Sequence, residues 1–369
     1  MGSDCRALVV ERIRRRGPIT VAEFMDLALY APEVGYYARA AQRSGRTGDF
    51  FTSVDVGPVF GAVLAERFAA WWRSMGGAAA GPRRFDLVEA AAGNGRLTRD
   101  ILDAAAQRDP EFYGAVAAHL VERSARARAT HPEVLASHGP RLASSGEALP
   151  DGIEGIIFAN ELLDALPVHL VEMGGSGLAE IYVDVESGRL VDRPGPPSSP
   201  ALARYLADAG VSLDRGARAE LNLAAVAWVA DAAARLRRGF LVLIDYGYEA
   251  AELYSAARSR GTLATFHRHR LAAPAGEASA GRAWLADPGG RDLTSHVDFT
   301  SVRRAAERAG LETVAITPQT RFLLEALEGS PLVGEFSAPD RLADRLALKT
   351  LLMPGGLGST HSVLVFAKR

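Results

Sequence analysis

Cysteine is almost missing: the 369-residue chain has one, Cys5, which excludes an intramolecular disulfide framework and a cysteine-built zinc site. Lysine is nearly missing too. Of 42 basic residues only Lys349 and Lys368 are lysine, which, beside so much alanine and glycine, we read as a GC-rich coding bias and not as function. No charge of one sign dominates, since the formal net charge is −2, so the overall field points to neither nucleic acid nor an anionic membrane. No apolar run reaches the roughly 18 residues needed to span a bilayer. The start MGSDCRALVVERIRRRGPIT is basic, contains Asp4 and Glu11, and has no apolar stretch fit for a signal peptide. A soluble cytoplasmic protein, bound to neither membrane nor nucleic acid and holding no metal, is the expectation.

What is present is 48% hydrophobic residues, ample for a sizeable core. Residues 5–16 and 20–30 show helical spacing, the second with Thr20 as a cap and Val21, Phe24, Leu27 and Ala28 on one face. A turn-rich stretch leads to the strong helix VFGAVLAERFAAWWRSMG, whose Trp71 and Trp72 are assigned to packing against a sheet. Strands and helices then alternate: FDLVEAA, the helix LTRDILDAAAQR, the strand GAVAAHLVERS, the helix ARARATHPEVLASHG, and GIEGIIFANELLDALP as a strand with its exit loop. Alternation of this kind predicts a parallel sheet covered on both faces. It breaks at VHLVEMGGSGLAEIYVDVESGRLVDR, read as antiparallel hairpins turning at Gly174 to Gly177, and helical segments follow, including RAELNLAAVAWVADAAARLRRG. It resumes with FLVLIDYGY and a helix opened by Asp298, and LETVAITPQ and HSVLVFAKR close the sheet.

The chemistry centres on FDLVEAAAGNGRLTRDIL, a strand, a turn of small residues and a helix. Glycine in such a turn removes the Cβ that blocks approach, and free N–H groups at the helix start favour polar ligand atoms. Two cofactor classes use it. A dinucleotide turn normally has three glycines, whereas Gly93 and Gly95 are followed by Arg96, Leu97 and Thr98. A carboxylate ahead of the turn, Glu89, suits S-adenosylmethionine (SAM), whose amino end it can serve. Glu122 in HLVERS, 27 residues beyond Gly95, suits the ribose hydroxyls of either class. The exit of the fourth strand discriminates: Asn160, Glu161 and Asp164 suit the passage between a sulfonium methyl and its acceptor, and a dehydrogenase has no special need of two carboxylates there. Asn160 as a cap and Glu161 in a first turn would equally suit a plain helix start.

Taken in order, GPITVAEFMDLALYAPEVGYYA, GDFFTSVDVGPVFG, LVEAAAGNGRLTRDIL, ANELLDALPVH, IDYGY and DLTSHVDF make a set that resembles the MidA / complex I assembly factor 7 family of class I SAM-dependent methyltransferases. The resemblance runs from about residue 17 to the end and is weakest over 175–240 and 320–355. It implies an α/β fold: a Rossmann-like seven-stranded sheet with the last strand antiparallel, an N-terminal helical extension and an inserted α+β subdomain. The domains follow as 1–80 for the extension and cofactor lid, 81–167 with 239–369 for the SAM-binding core, and 168–238 for the insertion.

The resemblance also implies methylation of protein arginine, as in the family's mitochondrial members, so a protein or peptide substrate is expected, with a homodimer left open. Glu161 and Asp164 then hold the guanidinium, and His296 in TSHVDF takes the departing proton; Asp245 is a further candidate. The cofactor set is Asp49, Thr52 and Ser53 of the lid, Glu89, Ala91, Gly93, Gly95, Glu122 and Asn160. Two departures stand out. Where the family usually reads ELGPGRG, Ala91 and Ala92 replace a glycine and a proline, and Ala91 is cheap only if its φ is negative. Leu162 and Leu163 replace two aromatics. The alternatives are a small-molecule O- or N-methyltransferase, a non-catalytic assembly factor keeping the fold and, more distantly, an NAD-dependent dehydrogenase.

Overall fold

Seven strands build the central sheet: β1 (Phe85–Ala90), β2 (Val116–Val121), β3 (Leu142–Gly146), β4 (Ile153–Asn160), β5 (Leu236–Asp245), β6 (Glu312–Pro318) and β7 (Ser362–Lys368). The computed structural model describes residues 3–39, 52–80, 84–267, 270–271, 280–336, 338, 340–353 and 357–369. The strand order is β6-β7-β5-β4-β1-β2-β3. Strands β1 to β5 run parallel, and β7 is antiparallel to both β5 and β6. The order reverses between β1 and β4, so a crevice for ligands opens beyond the carboxyl ends of those two strands.

Successive residues of each central strand serve opposite faces, as the two-residue strand period requires. Leu87, Ile156, Val242 and Val363 pack toward helices α1 (Val59–Ser74) and α2 (Arg96–Arg108). Their neighbours Val88, Ile157, Leu243 and Leu364 pack toward α3 (Leu223–Arg235) and α4 (Phe299–Arg308). Trp71 of α1 stacks on Phe240 of β5 with ring centroids 4.6 Å apart, which is the packing role expected of it. Asp298 caps α4 by accepting from Ser301 N at 3.1 Å.

A second sheet joins both ends of the first half of the chain. Its hairpins are His169–Gly174, Gly177–Glu186 and Arg189–Gly195. Ile19 pairs with Val183, so the N-terminal segment adds a strand to them. The helices Ser3–Arg16 and Val21–Tyr30 share a core with Ile181, Val183 and Trp284. Among the described residues no helix is long and apolar enough to cross a membrane.

Two segments depart from the sequence expectation. Arg218–Leu221 is a strand paired with His169–Gly174, and the helix expected from residue 218 starts at Leu223, where Asn222 Oδ1 accepts from Ala225 N at 2.8 Å. The single helix expected over ARARATHPEVLASHG breaks into Ala125–Arg128, His131–Val134 and a 3-10 turn. Pro132 has no N–H for the preceding turn and clashes with it, so one continuous helix cannot pass.

Ala91, the first residue after β1, has a φ of 55°. An L-residue there pays a steric penalty that glycine avoids. Ala91→Gly is therefore expected to raise the free energy of unfolding in urea by about 1 kcal/mol. A stability equal to or below wild type would show that the left-handed turn costs this chain nothing.

Candidate functional site

The turn after β1 passes through Gly93 at φ 53° and Gly95 at φ 84° into α2. Gly95 is required for packing as well, because a Cβ there would sit 3.0 Å from Leu120 Cδ1 and 3.2 Å from Leu135 Cδ1. Gly93 differs: its Cβ would meet no atom of the described residues within 4 Å. Its missing side chain leaves bare backbone facing open space at the sheet's switch point, a cradle fit for a cofactor that lies against the chain. Glu122 comes to the same turn, with Oε2 accepting from Gly93 N at 2.9 Å and Oε1 from Ser124 N at 2.7 Å. Glu89 is buried, and its Oε2 accepts from Thr98 N at 3.1 Å and from the Thr98 hydroxyl. Burial pushes the Glu89 carboxyl up to about 8, against the pull of the Thr98 hydrogen bonds.

Beyond β4 no helix begins, so the reading of Asn160 and Glu161 as a helix start is corrected. Glu161 takes a φ of 53°, and its N–H donates to Ile244 O at 2.8 Å, tying the exit to β5. Asn160 Nδ2 donates to Glu161 Oε1 at 3.1 Å. Asn160 Oδ1 is buried with no hydrogen-bond partner among the described residues, and such an acceptor suits a hydroxyl or amine of a bound molecule. Asp164 is buried, with Oδ2 accepting from the Tyr246 hydroxyl and Oδ1 without a partner among the described residues.

Beneath this loop Asp245 ends β5. It accepts from Leu163 N at 2.8 Å, Asp164 N at 3.4 Å and Tyr246 N at 2.9 Å, fixing the loop's backbone. Burial raises both Asp164 and Asp245 well above the usual carboxylate range; the charge of Glu161 adds to the rise in each. Two histidine rings stand edge-on to Tyr246, His296 at 5.6 Å and His361 at 5.5 Å between centroids. His361 Nε2 lies 3.6 Å from Glu161 Oε1. His296 is lowered by burial and by the Arg258 charge, so it is held neutral, and its Nδ1 is buried without a partner among the described residues. The candidates Asp164, Asp245 and His296 thus gather around one tyrosine that the sequence reading did not single out, and His361 stands between that tyrosine and Glu161.

The Thr52 N–H and hydroxyl donate to Asp55 Oδ2 at 2.9 and 3.0 Å, and the buried Ser53 hydroxyl pairs with the Gln319 side chain at 3.1 Å. Both expected lid hydroxyls are engaged within the protein, and Asp55 bridges to Arg96 at the start of α2. Asp49 lies outside the described residues. Further side chains reach the β4 exit from distant segments. Tyr30 donates to Ala165 O and Tyr37 to Asp292 Oδ1, each at 2.9 Å, with their rings stacked at 5.5 Å. Tyr30, Tyr37, Tyr246 and Asp292 all lie in segments that carry the resemblance, and Tyr246 is also the neighbour of Asp245 at a strand end.

A family model described as "Putative S-adenosyl-L-methionine-dependent methyltransferase" matches residues 63–317. The mitochondrial protein arginine methyltransferase NDUFAF7 of Mus musculus is 30% identical over 324 residues, which is 80% of this chain and 68% of that protein. Its Drosophila melanogaster homolog is 29% identical over 334 residues, 81% of this chain and 69% of that protein. A crystal structure of a Burkholderia thailandensis protein bound to S-adenosyl-homocysteine is similar at a TM-score of 0.85 and 31% identity, covering 100% of this chain and 92% of that one.

The raised Glu89 carboxyl has a consequence for stability. Between about pH 5 and 8 the folded state keeps a proton that the unfolded chain has released, so stability falls as pH rises through that window. Glu89→Gln keeps an acceptor for Thr98 and removes the titration. Urea unfolding across the window should show a shallower loss of stability in the variant than in wild type; identical slopes would place the Glu89 titration elsewhere.

Proposed function

The chain belongs to this family of S-adenosyl-L-methionine-dependent methyltransferases, and from that premise we propose that its methyl acceptor is an arginine guanidinium in a protein or peptide. The observation that carries the reading is the pair of carboxyls at the β4 exit: Glu161, held in a left-handed conformation, and Asp164, whose buried Oδ1 has no partner among the described residues. A buried acid with an unused acceptor oxygen suits a cationic donor, and a guanidinium supplies five N–H groups in a planar fork. The names of the mouse and fruit-fly relatives support the same acceptor.

Glu89, the turn from Ala91 to Gly95, Glu122 and Asn160 would hold the cofactor, with the segment of Thr52 and Ser53 beside the start of α2. Bound SAM supplies an electrophilic methyl group on its sulfonium. Glu161 and Asp164 hold the guanidinium by charge-assisted hydrogen bonds and turn one nitrogen lone pair toward that methyl. Asp245 keeps the loop that carries Asp164 in place through the Leu163 and Asp164 N–H groups. His296, beside Tyr246 and held toward its neutral form by burial, would take the proton that the guanidinium nitrogen loses on methylation.

Two measurements test this. Incubation of host lysate with methyl-labelled SAM should place label in protein and, after acid hydrolysis, in methylarginine; label confined to small metabolites would favour a small-molecule acceptor. Glu161→Gln keeps shape and loses charge. It should leave S-adenosylhomocysteine affinity within a few-fold and slow methyl transfer by roughly 30- to 150-fold, the worth of a charge-assisted bond made in the transition state. A wild-type transfer rate would remove Glu161 from the mechanism.

A further inference from the structure

We propose that His131 is a positioning residue for the cofactor turn, whose Nε2–H fixes the Gly93 carbonyl and, with Glu122, clamps both peptide planes that flank the Gly93 α-carbon. Glycine has the widest backbone freedom of any residue, and Gly93, at φ 53° with open space on its ligand side, has one local tie, the turn bond from Gly95 N to Ala92 O at 2.8 Å. The peptide before the α-carbon is fixed by its N–H, which donates to Glu122 Oε2 at 2.9 Å. The peptide after it is fixed by its C=O, which stands 2.8 Å from His131 Nε2. Together the two bonds add to the turn bond in holding φ and ψ of Gly93, and they do so from the protein side, leaving the opposite side of the turn free.

The histidine is built for that task. It is fully buried, at 0% exposure, at the start of the short helix His131–Val134. Its other nitrogen, Nδ1, lies 2.8 Å from the Ser145 hydroxyl at the end of β3. A carbonyl oxygen only accepts, so Nε2 must carry the hydrogen and Nδ1 must accept from Ser145. One neutral tautomer satisfies both partners, and burial favours the neutral ring. The ring packs beside Gly95, where a Cβ would lie in ordinary contact, 3.4 Å from His131 Cδ2. The two glycines of the turn thus have separate duties: Gly93 faces the ligand, and Gly95 lets the turn pack against Leu120 and Leu135. His131 lies 36 residues beyond Gly95 in the chain, which is why no local motif announced it.

The amide nitrogen of glutamine reaches about where Nε2 of histidine stands, and that of asparagine about where Nδ1 stands. His131→Gln therefore keeps a donor for Gly93 O, and His131→Asn does not. Isothermal titration of the full-length variants with S-adenosylhomocysteine should find His131→Gln within about threefold of wild type and His131→Asn weaker by roughly tenfold. A purely structural histidine would lower both unfolding midpoints without separating the two affinities, so equal affinities overturn the proposal. Whether or not the variants fold, long-range 15N–1H correlation on wild-type protein should show His131 with its hydrogen on Nε2. A hydrogen on Nδ1 overturns it as well.

Discussion

Carboxyl groups buried at the carboxyl ends of parallel strands are the constraint around which this molecule is arranged. Glu89 on β1, Asp164 past β4 and Asp245 on β5 are all nearly inaccessible to water. An ionised carboxylate in such a place is costly unless backbone N–H groups or a cation compensate it. The backbone supplies part. Thr98 at the start of α2 satisfies Glu89, and the amides of Leu163, Asp164 and Tyr246 converge on Asp245. Those bonds set where α2 begins and how the β4 exit loop runs. Burial raises all three carboxyls, and a cation placed beside any of them would favour its ionised form. SAM carries a sulfonium and an ammonium, and a guanidinium acceptor would bring a third cation.

Backbone strain marks the same two strand ends. Ala91 after β1 and Glu161 after β4 both adopt positive φ, at 55° and 53°, in neighbouring strands of the sheet. Non-glycine residues hold such conformations where surrounding structure over-determines them. For Glu161 the tie is its N–H to Ile244 O, which aims the side chain away from a helical path. For Ala91 the tie is the following amide, Ala92 N, donating to Val121 O at 3.1 Å. The turn thus keeps its shape without the glycine that the resembling family usually has there.

Much of this was legible in the sequence. Hydrophobic runs with turn signals between them gave away the parallel strands, because strands buried on both faces need no other pattern. Gly93 and Glu122 were both read as cofactor residues, and they meet at one turn because a turn and the next strand's end are neighbours in any βαβ unit. Three things were not legible. Arg218–Leu221 reads as the first turn of a helix, and only its pairing with His169–Gly174 makes it a strand. The Asn160–Glu161 dipeptide satisfies the rules for a helix start, and the competing hydrogen bond to β5 lies more than eighty residues away. Tyr30, Tyr37 and Asp292 lie in segments that carry the resemblance but were given no role there, and they, with His361 and His131, are brought to the site by tertiary packing that no local spacing records.

Burial raises the Glu89 carboxyl to about 8, so a cofactor ammonium placed beside it would draw off its proton. Isothermal titration with S-adenosylhomocysteine at about pH 7, in two buffers of different ionisation enthalpy, tests it directly. Binding is predicted to release a net fraction of a proton, so the observed heats should differ between buffers in wild type and agree in Glu89→Gln. Heats independent of buffer in the wild-type protein would contradict it.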